Sequence, residues 1–409
     1  MIRSHTLSIA VVGILSATAA ACSRDPVSES EPSALVLESL KAGSGTSCGL
    51  TATHDLYCWG ESPGTVMPVD SSAACTDLTS WRRCNPRPTL VPTGLEFHEI
   101  SIANGGIVHI CGRTAAGEMY CWGDMLVTYD QVVSVGRTPT LRPLADPIEA
   151  IRAGDTHDCA LTTGGDMYCW GDYDYNVRGT GGPVEHDWDL VPNIVAGGWR
   201  FQGLAVGFVH SCGLATNGEA LCWGHESSVG VLDPPIRTGG CGLPLSCVDH
   251  PVRVTDYRQF GHLEAGPVTC GIDGIQRLYC WGFNRTGAIG DGTTIDRVTP
   301  VHIDLPGGVT TVAVGGSHTC ATTTLGITYC WGDNHQGHLG TGRSEEILPS
   351  PTEVLTPVAL RTLAAGGRYT CGLDASGGAW CWGFNDFGQL GTGDTVSSHV
   401  PVRVAPPHR

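Results

Sequence analysis

Short apolar segments that run into glycine recur along the chain, Val309 to Gly315 and Leu360 to Gly366 among them. Such β-branched runs ending at glycine predict a strand that stops in a tight bend. After each comes a cysteine, a turn and a second cysteine, in the frame Cys-x9-Cys-Trp-Gly. The frame occurs seven times: Cys48 with Cys58, Cys111 with Cys121, Cys159 with Cys169, Cys212 with Cys222, Cys270 with Cys280, Cys320 with Cys330 and Cys371 with Cys381. Glycine stands four positions before the second cysteine in five copies, at Gly117, Gly165, Gly218, Gly326 and Gly377. The chain is expected to reverse there, so that the two cysteines face each other across a hairpin. Directly opposed residues in an antiparallel pair have Cα atoms roughly 4.5–5.5 Å apart, within the range a disulfide spans. One cross-strand disulfide per unit follows, with none joining one unit to the next. A strand alternates its side chains with a period of two, so the tryptophan beside each second cysteine points to the opposite face. Trp59, Trp122, Trp170, Trp223, Trp281, Trp331 and Trp382 are read as core packing rather than as a binding surface.

Successive second cysteines lie 48 to 63 residues apart. Self-similarity at this period marks a repeat architecture, in which each unit buries its apolar face against its neighbours. The spacing varies after Trp-Gly, where two insertions carry cysteines of their own. The first holds Cys75, Trp81 and Cys84; the fourth holds Pro234-Pro235, Cys241 and Cys247. Each of these two close pairs, Cys75 with Cys84 and Cys241 with Cys247, is read as a further disulfide. Long loops stapled in this way are commonly functional. Aromatic, arginine and leucine side chains on them are typical contact anchors, which makes Trp81, Arg82, Arg83, Leu243 and Leu245 candidate binding residues.

The N-terminus reads as an export signal over 1–21, with Arg3 and His5 before an apolar run from Leu7 to Ala21. Cleavage follows either an ordinary Ala-x-Ala site or a segment resembling a bacterial lipobox, which leaves Cys22 as a lipid-bearing N-terminus. Of the nineteen cysteines, Cys22 alone has no pairing partner, and this parity weighs toward lipidation. Ser23 after the cysteine then points to an outer membrane; without the lipid the chain is periplasmic or secreted. Residues 22–34 are polar and read as a flexible tether. The folded domain is expected over 35–405, with 406–409 as a tail.

The segment after the last Trp-Gly reads Asn385-Asp386-Phe387-Gly388-Gln389-Leu390-Gly391-Thr392-Gly393, and the sixth reads Asn334-His335-Gln336-Gly337-His338-Leu339-Gly340-Thr341-Gly342. Together with a following Pro-x-x-Val strand, as in Pro401 to Val404, this pattern resembles the regulator of chromosome condensation repeat family. The fifth unit keeps Asn284, Gly287, Gly290 and Gly292, the third keeps fragments, and the first, second and fourth have lost it. The Gly, Cys and Trp-Gly landmarks extend the resemblance over about 35 to 405. It implies an all-β seven-bladed β-propeller with four-stranded blades around a central channel. With Val400 to Val404 read as the opening strand of a unit, the C-terminal strand is expected to complete the first blade.

Composition narrows the function by exclusion. A formal charge of −17 argues against nucleic acid and anionic headgroups, since phosphate binding depends on clustered Lys and Arg. The nucleotide-exchange and chromatin roles of eukaryotic members of the resembled family are therefore not carried over. His-Glu-x-x-His and Gly-x-x-x-x-Gly-Lys-Ser/Thr motifs are absent from the sequence, and Glu345-Glu346 reads as a solvated rim. His109, His157, His210 and His318 each precede a first cysteine by two residues. Belonging to different units, they do not converge as zinc ligands must, and each is expected to bond a backbone carbonyl. Asp291-Gly292-Thr293 and Thr392-Gly393-Asp394 read as turns rather than calcium loops. No cofactor and no metal is expected. The leading reading is a non-enzymatic module that binds an extracellular or envelope protein, or a surface polymer, through loops on one propeller face. Secreted bacterial members of the resembled family make inhibition a special case of that reading. Competing readings are an enzyme acting on a glycan or peptidoglycan fragment at the channel mouth, and a purely structural envelope component.

Overall fold

The computed structural model describes residues 34–62, 83–104, 108–128, 131–172, 174–182, 189–232, 246–255 and 258–407. The expected signal 1–21, Cys22 and the tether up to residue 33 lie outside them. Ala34–Arg409 forms one compact unit. Seven four-stranded antiparallel sheets follow one another in sequence, each built from consecutive strands paired in chain order. The fold is the expected seven-bladed propeller.

Blade six shows why the sequence folds this way. Val309–Val314 buries Val309 and Val312, and Gly315 ends the strand. His318–Thr323 and Thr328–Asp333 form the hairpin, turning at Gly326 with φ 74°. The five turn glycines singled out above all adopt φ between 74° and 84°, a region costly for residues with a Cβ. Ile347–Glu353 then adds the outer strand. Cys320 lies directly opposite Cys330, as Cys159 lies opposite Cys169 and Cys212 opposite Cys222. All seven frames place their cysteines in this register as disulfides. Their Cα atoms are 4.0–4.1 Å apart. That is tighter than the expected spacing for Cys169, Cys222 and the other second cysteines alike, and close to that of a non-hydrogen-bonded pair.

The two faces of each hairpin are buried for complementary reasons. The disulfide of one blade packs in the same apolar cluster as the Trp-Gly tryptophan of the next. Cys48 and Cys58 meet Trp122, Cys159 and Cys169 meet Trp223, and Cys212 and Cys222 meet Trp281. Cys270 and Cys280 meet Trp331, and so around the ring to Cys371 and Cys381, which meet Trp59 of blade one. All seven tryptophans are no more than 1% exposed, so they are core, as read from the repeat.

Ring closure departs from the expectation. The C-terminal strand Ser398–Arg403 pairs with Ala379–Gly383 as the outer strand of the seventh blade, and it does not complete the first. The Pro-x-x-Val segment closes a unit rather than opening one, since the inner strand comes first in each blade. The seam between blades seven and one is instead an ordinary inter-blade interface. Leu37 N–H donates to Gly377 O at 2.9 Å and Gly367 N–H to Gly43 O at 3.1 Å. Ser47 Oγ lies 2.9 Å from the Tyr369 hydroxyl, which itself donates to Thr46 O at 2.7 Å.

Candidate functional site

In a four-stranded antiparallel blade, the connection from first to second strand and that from third to fourth leave at the same end. The expected insertions, at 63–82 and 233–245, both lie in third-to-fourth connections. The described strands that flank them, Leu56–Ser62 and Arg83–Leu90 in blade one and Ala220–His225 and Cys247–Arg253 in blade four, therefore meet on the propeller face where the inner strands end and the channel opens. Cys84 and Cys247 are buried and disulfide-bonded, while their expected partners Cys75 and Cys241 lie outside the described residues. So do Trp81, Arg82, Leu243 and Leu245. Arg83 begins the strand Arg83–Leu90 and pairs in register with Ser62. The structure adds a feature that sequence reasoning missed. In blade two the third and fourth strands extend to Met119–Thr128 and Gln131–Leu141, a long hairpin that rises from this same face. Met125 and Val135 are buried near its base, with Val133 and Leu190 of the next blade packed against them.

The channel is lined by the inner strands of all seven blades and encloses about 120 Å³. The register position opposite each first cysteine holds Lys41, Ser101, Arg152, Ala205, Glu264, Ala313 and Ala364 in blades one to seven, and all but Ala205 line the channel. Three of those seven side chains carry charge, in a place where the others are small. Arg152 Nη1 donates to Glu99 Oε1 at 2.6 Å, with Arg113 Nε 3.6 Å from the second oxygen of the same carboxylate. Glu264 lies 3.3 Å from His262 Nε2. Burial and the nearby Arg152 charge lower the Lys41 ammonium. Arg152 is raised, because Glu99 and Glu264 outweigh the cost of burial. Burial also opposes ionisation of Glu264, but His262, Arg152 and Lys41 prevail and hold it at about 2. Beside them Asp155 borders the opening, where burial pushes its carboxyl up to about 7 against a bond from the Asn104 backbone. Opposite charges acting on one another across a narrow channel give it an ordered polarity. The signal was present in the sequence: Leu40-Lys41-Ala42-Gly43, Ile151-Arg152-Ala153-Gly154 and Leu263-Glu264-Ala265-Gly266 put a charge in the same slot of three repeats.

The repeated histidines work between blades, and their partner differs from the expected backbone carbonyl. His109 Nε2 lies 2.8 Å from Asp158 Oδ2, His157 Nε2 2.6 Å from Ser211 Oγ, His210 Nε2 2.5 Å from Thr269 Oγ1 and His318 Nε2 2.7 Å from Thr370 Oγ1. Each partner is the residue before the first cysteine of the next blade. Sequence reading missed it because strand alternation aims a histidine and a residue one register away into the same inter-blade layer only once blades are stacked. His109, Asp158, Cys111 and Cys121 bring potential ligand atoms within 4.8 Å of one another. Two of these atoms are the sulfurs of a disulfide, so the group is an inter-blade latch beside a staple. Asp291 accepts from Thr293 and from Arg297 at 2.6 Å, and Thr392 donates to Asp394 at 2.7 Å, so both segments are turns.

The post-Trp-Gly loops show what the Asn and Gly positions are for. Asn284, Asn334 and Asn385 are buried, and each side chain bridges backbone groups of its own loop, as Asn385 does with Val396 O at 3.0 Å and Leu390 N at 2.8 Å. Gly290, Gly340 and Gly391 take positive φ, and a Cβ there would meet the next blade's tryptophan at 2.5–2.8 Å. Gly179 and Gly230 stand in the same relation to Trp223 and Trp281, so blades three and four keep the glycine although the wider pattern has eroded. Two models of the regulator of chromosome condensation (RCC1) repeat match the chain, one over 276–322 and 376–409, the other over 148–179, 309–337 and 361–389. These segments match the RCC1 repeat. Among curated proteins, the chain is 27% identical over 214 residues to the ultraviolet-B receptor UVR8 of Arabidopsis thaliana, covering 51% of this chain and 46% of the relative. It is 28% identical over 300 residues to the mitochondrial RCC1 domain-containing protein RUG3 of the same plant, covering 70% and 65%. The chain thus spans about half to two thirds of the length of these relatives. Among solved structures it is similar to Prp20p from Saccharomyces cerevisiae, with TM-score 0.68, 17% identity and coverage of 91% and 87%. Human WBSCR16 gives TM-score 0.68 at 19% identity, covering 86% and 94%. At these identities the likeness concerns the RCC1 propeller fold.

Proposed function

We propose that the chain is a non-enzymatic protein-binding module, exported and held at a bacterial envelope through lipidated Cys22, or released where that lipid is absent. The observation that carries this reading is that the described strands flanking both long insertions, and the blade-two hairpin, end on one propeller face. A repeat scaffold stapled in every blade fixes those strand ends relative to one another, and a preordered frame lowers the ordering cost of binding. Support also comes from Prp20p, which is described by its binding to Gsp1p and histones and in complex with Kap60. The net charge of −17 and the setting differ from those partners, so the target is an extracellular or envelope protein or a surface polymer, and blocking that target is one form the activity takes.

The test is affinity capture from the envelope and secreted fractions of the source organism. The folded chain serves as bait and free chain as competitor, with a version lacking 63–82 and 233–245 as control. A protein or polymer enriched by the bait, displaced by competitor and lost with the insertions is the expected result. Binding that survives removal of both insertions places the contact elsewhere and overturns the reading.

A further inference from the structure

We propose that the central channel is a binding site for a small zwitterion of the α-amino acid class. On one side, three consecutive blades present hydrogen-bond donors at one register position: Lys41, Ser101 and Arg152. Ser101 Oγ accepts from Ala153 N–H at 2.9 Å, which leaves its hydroxyl proton to donate. Arg152 is committed in part to Glu99. Lys41 makes no ion pair or hydrogen bond among the described residues, although its charge is felt by Arg152, Glu264 and Glu99. Lys41 is partly exposed to the channel, and a carboxylate placed against Lys41 and Ser101 gives its ammonium a charge-assisted partner. On the other side, Glu264 offers a carboxylate to a cation, beside Ala313, whose small side chain leaves space.

Neither half alone describes the channel. A simple anion also meets the Glu264 carboxylate lining the same channel, and a simple cation meets Lys41 and Arg152. A molecule with a carboxylate and an ammonium a few bonds apart satisfies both walls, and the enclosed volume restricts it to the smallest members of the class. The inference is independent of the loop-based reading above, since no residue of the insertions enters it.

Isothermal titration calorimetry on the full disulfide-bonded chain decides the matter, with L-alanine, acetate and methylammonium as probes. L-alanine is expected to bind saturably at one site per chain, with acetate and methylammonium each at least tenfold weaker. Lys41→Met abolishes binding of L-alanine and acetate. Glu264→Gln weakens L-alanine at least tenfold while leaving acetate unchanged or tighter. Ser101→Ala, which removes only a hydroxyl, weakens L-alanine several-fold and serves where Lys41→Met fails to fold. Thermal unfolding of each variant confirms that it is folded before it is titrated. The proposal is overturned by the absence of saturable heat with L-alanine, by acetate binding as tightly as L-alanine, or by folded variants that bind like the parent.

Discussion

Single side chains at the blade interfaces have roles that differ in ways burial alone does not reveal. Trp331 and Trp382 are both fully buried, yet Trp331 Nε1 donates to Ala288 O at 2.9 Å whereas Trp382 Nε1 has no partner among the described residues. Replacing tryptophan by phenylalanine removes the donor and part of the ring together. The loss of packing is similar at both sites, while the hydrogen-bond consequences are opposite. Trp331→Phe removes one of two donors to the Ala288 carbonyl, which keeps the Thr319 hydroxyl at 2.8 Å, a net loss of about 0.5–1.5 kcal/mol, and Trp382→Phe relieves an unsatisfied N–H. Urea unfolding should therefore show Trp331→Phe as the more destabilised of the two, by about 0.5–1.5 kcal/mol or more. Equal losses would mean that ring packing alone decides. The tryptophans were legible as core from their place beside each second cysteine. The partners of their indole nitrogens were not, because these are carbonyls of the preceding blade, some 43 residues away in the case of Trp331. Lys41, Arg152 and Glu264 stand between. Their shared slot is visible when repeats are aligned, but that the slot faces a channel follows only from the order of strands within the blade.

Elements are joined into a ring by two devices that respond to different conditions. The hairpin disulfides close loops of sequence separation 10, each contributing about 2–3 kcal/mol on the loop-entropy model. The Cys-x9-Cys spacing made them readable from sequence. The histidine latches were half readable: their recurrence was evident, their partners were not. Ser211 donates its own hydroxyl to Val177 O at 3.3 Å and Thr370 donates to His338 O at 2.9 Å, so His157 and His318 must donate from Nε2. Their Nδ1 atoms are buried without a partner among the described residues. Protonation would place a charge and a proton there with nothing to accept it. Burial accordingly lowers His157 and His210 to about 3 and His318 well below its usual value. The folded-state values lie below those of the unfolded chain, so this stability is complete above about pH 6.5 and is lost as pH falls toward 3. The urea midpoint should decline through that window in the parent. In a chain carrying His157→Gln and His210→Gln the decline should be shallower, even if the variant is weaker at pH 7. A parallel decline in both would assign acid sensitivity to other groups.

At the scale of the whole molecule, the ring holds one interface that the chain does not cross. The seven-unit count, the antiparallel blades and the staples could all be argued from the repeat, because each depends on contacts within a unit or between like units. Closure could not. It depends on where the chain enters the repeat, and the Pro-x-x-Val strand carries no local mark of being outer rather than inner. Since every blade is continuous in sequence, the seam has the same kind of contacts as other interfaces but lacks a covalent connection. The bond from Leu37 N–H to Gly377 O has counterparts in those from Ile148 to Gly117, Phe201 to Gly165 and Phe260 to Gly218. Local opening at the seam strains no connecting loop, whereas opening at any other interface does. Hydrogen exchange should therefore find the Leu37 amide the fastest of these four. Removing the Tyr369 and Ser47 hydroxyls, with Tyr369→Phe and Ser47→Ala, eliminates side-chain bonds across the seam and should speed Leu37 exchange by about tenfold, equivalent to roughly 1.4 kcal/mol. Phe260, on the far side of the ring, should not change. If all four amides slow and quicken together, the propeller opens only as a whole, and the uncrossed seam is as strong as the interfaces the chain ties.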